Sequence, residues 1–214
     1  ADNRTMVEDS DHIKSGIEIL KRFVGAKEYI IGIEANKPEA ISHLTEVFKD
    51  DPSVIVKTLE SVYPQGAKQV LLWNATGKVV AAGQRLASLG VIITNVTTLA
   101  KMALYFETGM PLIEKCVSVD GSAVKEPKNI IVPIGTSFEY CLEACGGFKE
   151  EPRKVIEGGP MMGRTVPDLN ESVVKATNGI VAMGEKEATL PQPSACIHCG
   201  KCVEACPLNL NPVA

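Results

Sequence analysis

The fold is decided within residues 29–38, YIIGIEANKP, where an apolar strand leads directly into a helix. Tyr29–Ile33 is short and apolar, which is typical of a strand buried on both faces. Asn36 and Pro38 follow as a suitable N-cap and first turn for a helix. The stretch therefore predicts one strand, a cap at Asn36 and one helix in immediate succession.

The same alternation of helix and strand continues through residues 1–111. Apolar residues at helical spacing across 6–24 predict one helix, with Gly25 as its C-terminal cap. Further strands are predicted at Val54–Val56 and Val91–Thr94. Strands that alternate with helices form parallel sheets covered on both faces, so these residues are predicted to be an α/β domain.

Three polar residues lie where such a domain would hold a ligand, because ligands collect at the carboxyl ends of parallel strands. Glu34 follows the first predicted strand, and Thr94 and Asn95 close the strand at 91–94. These three residues are candidates for contacting a cofactor. Two alternatives stay open: Glu34 is a solvated side chain, and Asn95 is a helix cap, which is the usual role of asparagine before a helix.

A second module is predicted over residues 112–165, where the rhythm changes. Ile113–Val119 alternates like a strand, and Ile130–Ile134 supplies a returning strand after a hairpin turn signal at Asp120-Gly121. A helix capped by Ser137 and a further strand at 154–157 follow. Two strands, a helix and another strand in about 50 residues suggest a small α+β module of the β-grasp kind. Residues 166–193 are mixed in character and are predicted to be a linker that ends in a stiff Pro-Gln-Pro segment.

The most specific chemical signal lies in residues 194–214. Cys196, Cys199, Cys202 and Cys206 precede Pro207 in the run C-x2-C-x2-C-x3-C-P, the thiolate pattern that holds [4Fe–4S] clusters. In two-cluster ferredoxins the fourth cysteine of this run serves the other cluster. The segment is therefore predicted to be the first half of a ferredoxin-type site.

A structural zinc site is the main alternative for these cysteines, because two C-x2-C pairs can also bind zinc tetrahedrally. Zinc modules separate their pairs by a longer loop, so the spacing favours the cluster. The other cysteines, Cys116, Cys141 and Cys145, are predicted to be buried packing residues.

Composition excludes several classes of function. A net charge of -4 over 214 residues leaves no basic stripe for nucleic acid. The longest apolar runs fall far short of the ~18 residues that a membrane span requires. Nothing resembling a secretory signal opens the chain, and exposed cluster ligands would oxidise outside a reducing compartment, so a cytosolic setting is expected.

Seven segments in order resemble the RnfC family, which forms the C subunit of the Rnf electron transport complexes and is similar to the NADH-binding subunit of respiratory complex I. They are Ile33–Pro38, Tyr63–Gly66, Val91–Leu99, Val124–Asn129, Cys145–Phe148, Gly158–Gly163 and the cysteine run. The resemblance implies a partial Rossmann-like domain that carries flavin, a soluble-ligand-binding β-grasp module of the SLBB type and half of a 2[4Fe–4S] segment.

The resemblance also implies a function. It indicates an NADH-linked, FMN-dependent subunit that exchanges electrons with two [4Fe–4S] clusters in a sodium- or proton-pumping ferredoxin:NAD+ oxidoreductase. Its partners would be the other membrane and peripheral subunits of that complex and, indirectly, ferredoxin, and its place the cytoplasmic face of the membrane. Cys196, Cys199 and Cys202 would hold one cluster and Cys206 its neighbour, while Glu34, Thr94 and Asn95 would lie on the flavin side.

Two departures from the family pattern limit what this chain is expected to do. Family members carry a barrel-like domain and a glycine-rich, flavin-holding loop before the point that matches Ala1, and a second cysteine motif after the point that matches Ala214. The isolated fragment is therefore expected to be inactive. Two other classes stay open: a docking module whose cysteines hold zinc, and a flavin and iron–sulfur subunit of another complex I-like dehydrogenase or hydrogenase.

Overall fold

The computed structural model of the protein describes residues 1–81, 83–206 and 210–213. These residues form two compact units, one made mainly of Asp2–Glu107 and the other mainly of Thr108–Pro193. They are called here the α/β unit and the β-grasp unit. Among the described residues, no helix combines the length and the apolar character needed to cross a bilayer.

The α/β unit alternates helices with two parallel strands, as the sequence predicts. Its elements are α1 (Asp2–Glu8), α2 (Ser10–Phe23), β1 (Tyr29–Glu34), α3 (Pro38–Val47), β2 (Val54–Leu59), α4 (Lys68–Thr76), a 3-10 turn (Leu86–Leu89) and α5 (Val96–Thr108).

β1 and β2 pair in parallel, from Tyr29 opposite Val54 to Glu34 opposite Leu59, and α3 connects them. Helices cover the sheet and enclose an apolar core. The fully or nearly buried members of this core are Met6, Ile13, Ile17, Ile33, Ala40, Leu44, Phe48, Val54, Leu99 and Ala100.

Three local predictions for this unit are wrong. Val91–Thr94 is not a strand, because β1 and β2 pair only with each other in the described part of the chain, and Ile92 is 68% exposed. The helix across 6–24 is divided at Asp9, whose backbone leaves the helical region. Asn36 does not cap α3, because the cap position is Lys37 and no side chain bonds to the helix start.

The β-grasp unit is a five-stranded sheet with one helix packed on it. Its elements are β3 (Glu114–Asp120), β4 (Lys128–Pro133), α6 (Phe138–Ala144), β5 (Lys154–Glu157), β6 (Arg164–Thr165), β7 (Gly179–Met183) and the short helix α7 (Glu185–Ala188), with strand order β4-β3-β7-β5-β6. As predicted, Ser137 caps α6 by accepting a hydrogen bond from the backbone of Tyr140 at 3.2 Å.

The centre of this sheet is a strand that the sequence did not reveal. β7 lies within the stretch 166–193, predicted to be a linker, yet it pairs in parallel with β3 and antiparallel with β5. Ile180 and Ala182 point into the core, where they meet Val119 and Val155 from the neighbouring strands. A strand of five residues beside an Asn-Gly turn signal gave too short an apolar pattern to be recognised, although pairing with a strand on each side makes it central to the unit.

The contact between α2 and α5 sets how closely the helices of the α/β unit approach. Gly16 of α2 lies against Leu99 of α5, and a β-carbon at Gly16 would lie 2.7 Å from Leu99 Cγ and 2.8 Å from the Leu99 carbonyl oxygen. The carbonyl belongs to the backbone of α5 and cannot rotate away. The two helices therefore pack at a distance that only glycine permits at this position.

Gly16→Ala is expected to destabilise the α/β unit by about 1–3 kcal/mol, even though alanine is the better helix former, because the added methyl group forces α2 and α5 apart. Denaturant unfolding followed by circular dichroism measures the change. The matched control is Ser15→Ala on the neighbouring, half-buried position of α2. A Gly16→Ala variant as stable as Ser15→Ala would contradict the close packing.

Candidate cofactor sites

The carboxyl ends of β1 and β2 form one edge of the α/β unit, because parallel strands end on the same side. Beyond the strands, the Ala35 amide donates to the Leu59 carbonyl at 2.8 Å and the Asn36 amide donates to Ser61 Oγ at 3.0 Å. Glu34, predicted to face a cofactor, lies at this edge and its carboxylate accepts a hydrogen bond from Lys37. The edge thus presents a half-exposed acid whose charge is already paired.

Gln65 lies in the segment that follows β2 and was not singled out as a site residue. Its side chain is 3% exposed, and its Oε1 accepts a hydrogen bond from Asn74 Nδ2 at 2.8 Å. Its Nε2 is buried and has no hydrogen-bond partner among the described residues. A buried donor without an acceptor is costly, so Gln65 is the unsatisfied polar group of this region. In the sequence, Gln65 belongs to the Tyr63–Gly66 motif, but the residue types of that motif are those of an ordinary turn and do not indicate a buried amide.

Asn95 is the N-cap of α5. Its Oδ1 accepts hydrogen bonds from the backbone amides of Thr97 at 2.9 Å and Thr98 at 3.2 Å, and its Nδ2 donates to the Asp2 carboxylate at 2.8 Å. Thr97 Oγ1 donates to the other Asp2 oxygen at 2.7 Å. Thr94 is exposed, and its hydroxyl makes only a 3.5 Å contact with the Asn95 carbonyl. Asn95 therefore caps α5, which is the alternative that the sequence left open beside a cofactor contact.

The phosphate of a flavin mononucleotide does not fit the start of α5. A helix N-terminus attracts anions through its free amides and its dipole. Here Asn95 already occupies two of the amides, and the Asp2 carboxylate lies against the first turn. A phosphate at this point would meet a carboxylate of the same charge. The start of α5 therefore offers no cradle for the phosphate.

The cysteine run begins in an exposed loop with Cys196 and Cys199, continues through the one-turn helix α8 (Lys201–Glu204), which contains Cys202, and ends at Cys206. His198 and Gly200 both have left-handed backbone conformations, with φ of 54° and 75°. The turn aims the His198 amide at the sulfur of Cys196, at 3.3 Å. Beyond Cys206, the amide of Leu210 lies 3.4 Å from the Cys206 sulfur. Pro207, the last residue of the motif, lies outside the described residues.

These cysteines have the chemistry of cluster ligands. Their thiols are accessible, and backbone amides that donate hydrogen bonds to sulfur stabilise iron–sulfur thiolates. Across the described part of the chain, however, no three His, Cys, Asp or Glu side chains converge closely enough to hold a metal ion. The four thiols are suitable ligands for a cluster. Because the sulfurs do not converge in this loop, cluster binding would have to draw them together.

Cys141 and Cys145 are excluded from this chemistry by burial. Both are fully enclosed in the core of the β-grasp unit, as predicted. Burial and the neighbouring Cys145 raise the pKa of Cys141 to about 11, and burial raises the pKa of Cys145 as well. Both thiols stay protonated at neutral pH, whereas metal ligation and redox reactions require the thiolate. The same prediction of burial is wrong for Cys116, which is only half-buried on β3.

The loop 158–163, one of the segments that carry the resemblance, is a tight turn between β5 and β6. The Gly163 amide donates to the Gly159 carbonyl at 2.7 Å, and a β-carbon at Gly163 would overlap Ile156. Met161 and Met162 stand at its tip, 69% and 82% exposed. Its glycines therefore serve close packing of the turn itself.

Three family models match the chain in order. They are described as the Nuo51 FMN-binding domain over residues 1–104, the SLBB domain over 116–165 and the 4Fe-4S binding domain over 191–209. They agree with the predicted fold class of flavin-type α/β domain, β-grasp module and ferredoxin-type segment.

Curated relatives resemble the chain over nearly all of its length. It is 41% identical over 99% of its residues to the C subunit of the proton-translocating ferredoxin:NAD(+) oxidoreductase complex of Clostridium ljungdahlii, covering 46% of that relative. It is 39% identical over 100% of its residues to the C subunit of the Na(+)-translocating complex of Acetobacterium woodii, covering 48%. It is 37% identical to the C subunit of the ion-translocating oxidoreductase complex of Rhodobacter capsulatus, covering 41%. The chain thus spans less than half the length of these relatives.

Asn95→Ala is expected to lower the unfolding free energy of this chain by about 1 kcal/mol in the absence of any flavin, because α5 loses its cap and Asp2 loses a partner. Chemical denaturation monitored by circular dichroism measures the loss. Thr94→Ala serves as the control and is expected to change stability by less than about 0.5 kcal/mol. Equal stabilities of the two variants would show that the cap contributes nothing and would return Asn95 to the ligand candidates alone.

Proposed function

We propose that this chain, which is homologous along its length to the C subunit of the Rnf electron transport complexes, transfers electrons as part of such a subunit. That C subunit is related to the NADH-binding subunit of complex I. In this proposal the cysteine loop holds a [4Fe–4S] cluster that accepts and donates single electrons. The full-length subunit exchanges electrons between NAD(H), FMN and two such clusters. The reaction served is that of an ion-pumping ferredoxin:NAD+ oxidoreductase.

The observation that carries this proposal is the geometry of the cysteine loop. Four accessible thiols at cluster spacing lie on a backbone whose left-handed residues direct an amide at sulfur. Cys196, Cys199 and Cys202 are proposed as ligands of one cluster and Cys206 as a ligand of the second. When bound, a cluster supplies one-electron transfer at a potential set by hydrogen bonds to its sulfurs and by burial.

The flavin is proposed to lie at the edge where β1 and β2 end, with Glu34, Thr94 and Asn95 on that side. Gln65 joins these candidates, because its buried amide donor has no acceptor among the described residues. The start of α5 is occupied by Asp2, so the phosphate is assigned to residues of the longer protein that these 214 do not include. No step of the reaction is assigned to groups of this chain at that edge.

Within the complex, we place this subunit on the cytoplasmic face of the membrane. Its relatives are named as subunits of larger oxidoreductase complexes. Sister subunits, some of them membrane proteins, would anchor it and would pass electrons on to or from ferredoxin.

The cluster assignment predicts how iron content depends on single cysteines in the full-length subunit reconstituted anaerobically. Cys199→Ser is expected to remove one of two clusters, about four of about eight iron atoms, because a cubane needs each of its thiolates. Cys116→Ser, outside the loop, is expected to leave iron and sulfide unchanged. The isolated 214-residue chain is expected to hold little intact cluster, since Cys206 is directed to the neighbour. Stoichiometric zinc with no visible absorbance would instead support the docking-module alternative.

Flavin content provides a second test. The isolated 214-residue chain is expected to purify without tightly bound FMN, because Asn95 and Asp2 block the start of α5 to the phosphate. Flavin fluorescence after denaturation measures this, with the full-length subunit purified in parallel as the control. One flavin per chain released from the isolated fragment would disprove the assignment of the phosphate to other residues.

A further inference from the structure

The ring of His12, in the first turn of α2, lies between two carboxylates that come from different parts of the α/β unit. Its Nδ1 contacts the carboxylate of Asp9, which lies between the end of α1 and the start of α2. Its Nε2 lies 3.3 Å from Oε2 of Glu107, near the end of α5. The ring therefore connects the junction of α1 and α2 to the last turn of α5. These two contacts are called here the His12 bridge.

Both contacts of the His12 bridge are hydrogen bonds only while the imidazole is protonated. A protonated imidazole donates from both ring nitrogens, whereas a neutral one donates from one nitrogen and accepts at the other. Asp9 is three residues from His12 and remains beside the ring whatever α5 does. Glu107 lies on another helix, so it is the partner that is lost. When Nε2 gives up its proton, an acceptor nitrogen faces a carboxylate oxygen, and the two repel each other.

The surroundings of His12 favour its protonated form. The hydrogen bond with Asp9 raises the pKa of His12 above its ordinary value of 6.5, burial opposes this, and the charges of Asp9 and Glu107 raise the pKa further. A histidine whose pKa is higher in the folded chain than in the unfolded chain stabilises the fold fully below the unfolded pKa, and this contribution is lost as the pH rises through the folded pKa. The bridge is therefore complete below about pH 6.5 and is lost at higher pH.

Other titratable groups lie on the helices around the bridge. They are Asp2, Arg4 and Glu8 of α1, Asp11, Lys14, Glu18, Lys21 and Arg22 of α2, Glu39, His43 and Glu46 of α3, and Lys101 and Tyr105 of α5. On α2 the charges of both signs alternate, and Glu18 pairs with Lys21 at 2.8 Å. The pKa of His12 is shifted by Asp9, Glu107 and burial. The two carboxylates that contact the ring therefore hold its proton.

The last turn of α5 has little buried surface to hold it in place. Tyr105 is 51% exposed and Phe106 55%, and the Phe106 ring meets the ring of Phe23, which is itself 64% exposed. Segments with few buried apolar contacts open locally at low cost in free energy. The β-grasp unit takes up the chain at Thr108. The His12 bridge thus acts on a weakly held turn at the point where the chain leaves the α/β unit.

We propose that the His12 bridge is a proton-dependent latch, in which protonated His12 holds the last turn of α5 against the start of α2 and loss of the Nε2 proton to solvent releases that turn. Release leaves the contact between His12 and Asp9 in place. The rest of the α/β unit keeps its fold, because the buried part of α5 lies earlier in the helix, at Leu99 and Ala100. The latch involves no cofactor and does not rest on the proposed function.

Amide hydrogen exchange of the 214-residue chain tests the release. Exchange is followed residue by residue by NMR at about pH 6 and about pH 8, and is expressed as protection relative to an unstructured peptide at the same pH. The protection of amides 105–107 is expected to fall about two- to fivefold at the higher pH, the range for a partly exposed ion pair. Unchanged protection of the β1 amides shows that the unit as a whole stays folded. Equal protection of amides 105–107 at the two pH values would overturn the inference.

Two histidine variants assign the effect to one ring. His12→Gln is expected to give the same protection of amides 105–107 at both pH values, because glutamine does not titrate. His43→Gln is the matched control, since the His43 ring contacts Ser10 Oγ at 2.9 Å on the neighbouring helix, and it is expected to keep the wild-type response. A response that persists in His12→Gln, or that is lost in His43→Gln, would overturn the inference.

The proton itself is followed through the ring signals of His12 in an NMR titration. Glu107→Gln is expected to lower the pKa of His12, because one of the two carboxylates that favour the protonated ring is removed. Asp11→Asn removes an acid next to His12 in sequence and is expected to lower the pKa of His12 less. If Glu107→Gln leaves the pKa of His12 unchanged, or changes it no more than Asp11→Asn does, Glu107 does not hold the proton and the latch is disproved.

Discussion

The α/β unit depends on covering a parallel sheet that has two strands in the described part of the chain. Two paired strands bury too little to be stable alone, so the helices must supply the core. That requirement explains the glycine at position 16, where α2 and α5 approach until the backbone of Leu99 limits them. It also explains why α1 is tied to α5, since Asp2 bonds both Asn95 and Thr97. The sheet, the helix contact and the capped start of α5 form one mutually supporting arrangement.

Much of the fold could be predicted from local pattern. The strand at 29–34 and the capped helix after Ser137 follow from residue type alone, because apolar periodicity and cap chemistry are local properties. The strand predicted at Val91–Thr94 was wrong for the opposite reason. Its side chains suit a strand, but a strand forms only where a neighbouring backbone is available for hydrogen bonding. β7 was missed because its role comes from its two neighbours, which no stretch of five residues can indicate.

The candidate sites divide in the same way. The spacing of the four loop cysteines selects them as cluster ligands, and that assignment stays a prediction. The burial of Cys141 and Cys145 was predicted correctly, because helical periodicity is a local property of the sequence. Gln65 could not be recognised, because an unsatisfied amide is a property of its surroundings. The sequence singled out Asn95 but left two roles open, helix cap or cofactor ligand. The hydrogen bonds of its side-chain amide with the start of α5 and with Asp2 identify it as a helix cap in this chain.

The backbone of His198 has a consequence for how this loop can change over evolutionary time. A φ of 54° is readily adopted by glycine and less often by asparagine, aspartate and histidine, but it strains β-branched and bulky residues. Substitution at this position is therefore confined to a few residue types, even though the side chain is exposed. Among homologous loops, residue types should vary first at the positions of Ile197 and Lys201. Position 198 should vary later, because few residue types adopt the backbone conformation of this turn.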